Sequence, residues 1–107
     1  MKKSLYKLIV YVPQKHLEQV RIAIANAGGG KIGNYDSCAF ISSGIGTFRP
    51  LEGAKPSQGE IGKLERVGEA KLEVTVADDC IKEVIAAIRK VHPYEEVVID
   101  IYKLESI

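Results

Sequence analysis

The chain has 107 residues, of which 46% are apolar and 27% charged, and its formal net charge is +1. That length suits one domain with a single core, so 1–107 is read as one unit. A near-neutral balance leaves no electrostatic footprint for nucleic acid, and no apolar run approaches the length of a membrane span.

Leu5 to Val12 is dense in Tyr, Ile, Val and Leu and predicts a strand with apolar residues on both faces. "MKKSLYKLIVYV" has the charged start of a secretion leader. Lys7 interrupts its apolar stretch and Pro13 follows at once, so it is read as a strand. Lys2, Lys3, Lys7 and Lys15 are read as a solvated edge, with an anion site as the alternative. From Gln14 to Ala27, Leu17, Val20, Ile24 and Ala27 recur at helical spacing, and Gly28 to Gly30 stop the helix. Tyr35 to Thr47 reads as an irregular strand. Phe48 to Lys63, with Pro50, Pro56 and three glycines, reads as a long loop. Leu64 to Ala77 alternates, with Leu72, Val74 and Val76 on one side and Lys71, Glu73 and Thr75 on the other. Asp78 and Asp79 are placed to cap a helix carrying Ile81, Val84, Ile85, Ile88 and Val91. His92-Pro93 ends it, and Glu96 to Leu104 supplies a last strand.

The order β-α-β-β-α-β predicts an α+β, ferredoxin-like fold, a four-stranded antiparallel sheet with two helices on one face. The first strand has apolar residues on both sides, Leu5, Ile9 and Tyr11 opposite Leu8, Val10 and Val12. A second apolar face in so small a domain predicts a homo-oligomer that covers it.

All ten glycines lie between Gly28 and Gly68. The pattern Gly28-x-Gly30-x-x-Gly33 follows a helix and precedes a strand, the reverse of a dinucleotide-binding turn. It therefore presents a helix carboxyl end, which disfavours phosphate. Gly44-x-Gly46-Thr47-Phe48-Arg49-Pro50 stands where a strand enters the longest loop. It is either a bulge with Phe48 folded onto the core, or a rim where backbone amides, Thr47 and Arg49 meet a ligand.

Among reactive side chains, His92 sits at the end of the second helix, where the dipole favours the cation and a capping role. With Glu95 or Glu96, and Cys38 or a neighbouring subunit as a third donor, it could instead ligate a divalent metal ion. Cys38 alternates with Phe40 and is more often a buried small hydrophobe than a thiolate ligand. Cys80 opens the second helix, where the terminus could lower its pKa, though an inert thiol is the simpler reading. Neither cysteine forms part of a disulfide framework, and both are read as reduced thiols of a cytoplasmic protein. His16 is placed toward solvent. Glu65, Glu69 and Glu73 share one strand face as a partly solvated row, or pair with basic residues across an oligomer; Glu65, beside the loop, is the one placed in a site. Ser42 and Ser43 have no His or Asp at a recognisable spacing, so nothing points to an enzyme.

Three stretches together, "AGGGKIGNYDSCAF", "GIGTFRPLEGAKPSQGEIGKLERVGEAKLE" and "HPYEE", resemble the domain inserted in many bacterial proteins of the NGG-interacting-factor family. Those dinuclear-metal proteins are often named GTP cyclohydrolase type-2-like. The inserted domain is similar to the CutA and PII signalling proteins, and "HPYEE" resembles a segment of CutA itself. The resemblance runs from Val12 to about Tyr102 and implies a CutA/PII-like fold and a homotrimer. Gly33, Tyr35, Cys38, Phe40, Gly46, Phe48, Pro50, Gly62, Glu65, His92, Pro93, Tyr94 and Glu95 match its motifs. It does not reach the metal-binding halves of the long proteins, so neither metallohydrolase nor cyclohydrolase activity is implied for this stand-alone domain.

The expectation is a trimeric binding or signalling module. A small ligand would lie at a subunit cleft lined by Gly46, Thr47, Phe48, Arg49, Glu65 and Tyr94. A metal ion would fall to His92, Glu95 and Cys38, and a protein partner could meet loop 48–63. The alternatives are a structural interaction module without ligand and a metal-dependent hydrolase-related enzyme.

Overall fold

The computed structural model describes residues 3–107. The elements are β1 (Leu5–Pro13), a 3-10 turn (Gln14–His16), α1 (Leu17–Asn26), β2 (Phe40–Phe48), β3 (Glu65–Ala77), α2 (Ile81–Val91) and β4 (Ile99–Lys103). The strands form one antiparallel sheet in the order β2-β3-β1-β4. This is the expected ferredoxin-like arrangement, with the two strands that carry the buried core residues at the centre.

Register sorts the side chains. Leu8, Val10 and Val12 of β1 stand opposite Val74, Leu72 and Ala70 of β3. All six are buried with Val20 and Ile24 of α1 and with Val84 and Ile88 of α2. Each large member contributes about 1.5–3 kcal/mol by leaving water. Both helices lie on this face, and Ile99 of β4 packs at its margin.

The opposite face differs from the apolar surface expected. Leu5, Ile9 and Tyr11 do occupy it, but β3 contributes Glu69, Lys71, Glu73 and Thr75 beside them. Ser42 pairs with Lys71 on the β2 side and Asp100 with Ile9 on the β4 side. The reason is the alternation of β3, which gives its apolar residues to the helix side and its charges to the other.

Local structure departs from expectation in three further places. Pro13 is the last β1 residue, paired with Glu69, and Gln14–His16 form a 3-10 turn before α1 begins. Tyr35–Ala39 lie outside β2; an isolated Ile32–Tyr35 bridge and Ser37 at φ 58° make that stretch irregular. Asp78 and Asp79 do not cap α2, whose N-cap residue is Cys80 with no side-chain bond. The Asp79 carboxylate pairs with Lys3 Nζ at 2.6 Å, and Asp78 Oδ2 accepts from the Ser4 amide at 3.3 Å.

The glycine turn after α1 is a helix stop, as its sequence context indicated. Gly28 takes φ 102°, its amide donates to the Ala25 carbonyl at 3.1 Å, and the Gly29 amide donates to that of Ile24 at 2.9 Å. That pair of bonds satisfies two of the carbonyls a helix end leaves open. Gly30 then donates to Thr75 O and accepts from the Cys38 amide, each at 2.9 Å, which ties the irregular segment to β3.

Two features position the site. β2 and β3 outrun β1, whose last rung is Pro13–Glu69, so Ile45–Phe48 and Glu65–Gly68 project as a two-stranded ribbon. The radius of gyration is accordingly 15.0 Å, against about 13 Å for a compact domain of this length. At the opposite edge the Leu104 amide donates to Leu5 O at 2.9 Å. Among the described residues no helix is long and apolar enough to cross a membrane.

Candidate ligand-binding site

The site begins where α2 ends. Pro93 disfavours helical backbone at the preceding residue, and His92 is extended, at φ −71° and ψ 136°. That turn sends the His92 ring, 8% exposed, under β1. Its Nε2 lies 2.7 Å from the Tyr11 carbonyl, and its Nδ1 accepts the Tyr94 amide hydrogen at 3.1 Å. A carbonyl can only accept and an amide can only donate, so the pair fixes the neutral tautomer with hydrogen on Nε2. Burial also pushes the His92 pKa down, against the favourable bond to Tyr11 O. The expected cationic cap is therefore corrected: desolvation and the Tyr94 amide outweigh the helix dipole.

Above His92 stands Tyr94, ring centroids 5.1 Å apart, and beyond it Phe48 at 6.0 Å and a 56° tilt. The Tyr94 hydroxyl donates to Glu69 Oε2 at 2.9 Å. Burial first, and then that bonded carboxylate, hold the phenol protonated well above its usual range. The Glu69 carboxylate lies across Gly46 of the ribbon, where a Cβ would collide with it. A side chain at Gly46 would have to turn the Glu69 carboxylate aside.

The loop after β2 closes the remaining side. Pro50 is buried at its root and accepts the Gly62 amide at 2.7 Å. Midway, the Lys55 amide donates to Glu95 Oε2 at 3.0 Å, fastening loop to turn. Between them lies a half-open cavity of about 430 Å³. Its walls are Tyr11, Phe48, Tyr94, Leu51, Ala54, Pro56 and Val98, with Glu69, Glu95, Glu96 and Arg49 as the charged groups. A hollow of about 210 Å³ adjoins it along the sheet, bounded by Ser42, Gly44 and Lys71.

Of the residues singled out from sequence, Gly46, Thr47, Phe48, Arg49, Tyr94 and Glu95 meet at this cavity. Glu65 does not line it; its side chain packs against Gly59. His92 lies beneath as a support, with both ring nitrogens engaged. Cys38 is elsewhere. Its amide is bonded to Gly30, which is bonded to Thr75, whereas Glu69 marks the cavity six positions back along β3. The set His92, Glu95 and Cys38 does not assemble within the chain, and no group of three His, Cys, Asp or Glu among the described residues is placed to hold a metal ion. Cys80 is no activated thiol either: burial and then Asp79 raise its pKa. Tyr11, Glu69 and Val98 were not singled out as site residues, and Glu96 only as an alternative to Glu95 beside a metal ion. The signal for Glu69 was its place opposite the glycine-rich end of β2, where Gly44 is its partner.

No protein-family model matches the chain. Over 102 residues it is 56% identical to the GTP cyclohydrolase 1 type 2 homolog of Bacillus subtilis, covering 95% of this chain and 27% of that protein. The homolog of the same name in Halalkalibacterium halodurans is 51% identical over 103 residues, covering 96% and 28%. The chain spans about a quarter of the length of these curated relatives. Among solved structures, a Bacillus cereus protein related to NIF3 superposes with a TM-score of 0.85 at 43% identity, over 97% of this chain and 26% of that one. The divalent ion tolerance protein CutA1 of Ehrlichia chaffeensis superposes with a TM-score of 0.71 at 15% identity, over 100% and 87%.

This is a CutA/PII-like fold. The CutA1 match spans nearly all of both chains, so it identifies the architecture of the whole domain. The NIF3-related match places the same architecture within a longer chain. In a CutA/PII-like sheet the Tyr94–Glu69 cavity lies at the β2–β3 end, between the projecting ribbon and the turn after α2.

Proposed function

We propose that the chain is a binding or signalling module of the kind inserted in NGG-interacting-factor proteins, that it assembles as a homotrimer, and that it takes a small ligand in the Tyr94–Glu69 cavity. The observation that carries this is the half-open cleft between the ribbon, the loop and the turn after α2. About 430 Å³ lies within the usual range for small-molecule sites, with mostly apolar walls and a few oriented polar groups. The loop fastened by Glu95 is the natural element to respond to occupancy, since the bond that ties its middle to the turn after α2, at 3.0 Å, is exposed.

Binding is favoured over catalysis by the reactive groups. His92 has no free ring nitrogen to act as a base, and Ser43 Oγ accepts from Gln14 Nε2 at 3.0 Å rather than facing a base. Trimerisation would cover Leu5 and Tyr102, both exposed on the open face, and shelter the projecting ribbon. The test is native mass spectrometry on the purified chain together with a thermal-shift screen of small metabolites. A three-subunit mass and a ligand whose stabilisation disappears in Phe48→Ala support the reading. A monomer at micromolar concentration with no stabilising ligand overturns it.

A second reading rests on the loop. Leu51, Ile61 and Leu64 are all exposed there, an apolar display suited to a protein partner. A stoichiometric partner lost on Leu51→Asp and Leu64→Asp, and indifferent to small ligands, would favour that reading.

A further inference from the structure

Its charge and aromatic content narrow the class of ligand that this cavity can hold, an inference that rests on the binding reading above. Three carboxylates, Glu69, Glu95 and Glu96, border it against one guanidinium, Arg49. An anion placed there would face a net negative wall. Lys71 borders only the adjoining hollow. The walls are also more than an acidic patch. Phe48 and Tyr94 form a corner, with rings 6.0 Å apart and tilted by 56°. A bound group in that corner would meet two aromatic surfaces at once. Aromatic faces carry negative potential and attract cations within about 6 Å of the ring centroid. The Tyr94 hydroxyl donates its hydrogen to Glu69 at 2.9 Å, which shifts electron density toward the ring and deepens that potential. A bare metal ion is poorly served, because no group of three donors among the described residues converges. The apolar remainder, Leu51, Ala54, Pro56 and Val98, asks for hydrocarbon.

We propose that the Phe48–Tyr94 corner with Glu69 is a site for a small organic cation, an ammonium or quaternary ammonium group carried on an apolar body. Glu69 supplies the counter-charge, the two rings hold the cationic head, and the loop wall covers the hydrocarbon.

The test compares three probes of similar size and opposite charge character: benzyltrimethylammonium, benzyl alcohol and benzoate. Each is titrated into the isotopically labelled full chain while amide shifts of Phe48, Arg49, Tyr94 and Glu95 are followed. Benzyltrimethylammonium should move these amides saturably, and benzyl alcohol and benzoate should bind at least about tenfold more weakly. Glu69→Gln keeps an oxygen to accept the Tyr94 hydroxyl and removes only the charge. It should weaken the cation by about tenfold and leave benzyl alcohol unchanged. If all three probes bind equally, or benzoate binds best, the cavity stands as a site and the cation preference is overturned. If none moves these amides, the binding reading falls, and the cation preference with it. If only a change of subunit number follows Glu69→Gln, the cavity belongs to a neighbouring copy's side chain, and the proposal is likewise overturned.

Discussion

The Tyr94 hydroxyl and the Glu69 carboxylate meet at 2.9 Å across 25 residues of sequence, joining the turn after α2 to the central strand β3. Removing the hydroxyl leaves a half-buried carboxylate with one bond fewer. Tyr94→Phe should cost about 1 kcal/mol, the net worth of an ordinary hydrogen bond, since the carboxylate is only half-buried, and lower the melting temperature by about 4–8 °C. Thermal denaturation checks this, and an unchanged midpoint would show that water replaces the hydroxyl without penalty.

Gly46 is held free of a side chain by Glu69. Gly46→Ala should turn that carboxylate away from Tyr94 and cost about 1 kcal/mol, the worth of the displaced hydrogen bond. In a Glu69→Ala background the same substitution should cost little more, because the carboxylate it displaces is already gone. Additive costs in that double-mutant cycle would sink the steric account.

His92 makes stability depend on pH. Its folded pKa lies below the ordinary value, which is about 6.5 in an unfolded chain. As pH falls through that value the unfolded state takes up the proton first. The contribution is therefore fully present above about 6.5 and is lost progressively as the solution becomes more acidic. Denaturant unfolding at pH 7.5 and 5.5 should show a steeper loss for the native chain than for His92→Gln. At neutral pH, His92→Ala strands the Tyr11 carbonyl and the Tyr94 amide and should cost about 2–3 kcal/mol.

The turn glycines should separate cleanly. Gly30 combines φ 77° with contact to the Cys38 backbone, whereas Gly33, at φ 57°, has open space around it. Gly33→Ala should cost about 1 kcal/mol, the left-handed penalty alone. Gly30→Ala should cost about 3 kcal/mol or more, because the Cys38 strap must also move. Equal losses would mean that the strap is not held as tightly as its two backbone bonds imply.

The loop hangs on Glu95. Glu95→Ala removes the acceptor for the Lys55 amide and should speed hydrogen exchange and proteolysis around 51–58, with little change in global stability. Protection equal to that of the native chain would assign the loop's order to Pro50 and Gly62 instead.

What could be read from the sequence was local. The alternation of Leu72, Val74 and Val76 and the 3.6-residue stripe of Ile81, Val84, Ile85 and Ile88 give strand and helix because neighbours in sequence are neighbours in register. The glycine stop after α1 follows the same logic. The rim at Gly46–Arg49 was legible because glycines mark the end of a strand and Pro50 the loop that follows it. What was hidden depends on distant partners. His92 is neutral because folding buries it beneath β1 and sets the Tyr94 amide against its Nδ1, which no helix-end rule contains. Cys38 stands far from His92 because Gly30 is bonded to β3, and the aspartates before α2 hold Lys3 and Ser4 rather than the helix. Glu69 looked like one carboxylate in a solvated row until folding brought Tyr94 over it.

The bond between Leu104 and Leu5 has a further meaning. The polypeptide enters and departs through one doorway, with the whole sheet and both helices hung beyond it. A unit of that geometry can be spliced into a host loop without prising the host apart. Relatives nearly four times as long, in which the matching segment is 27% of the protein, are what such a doorway permits.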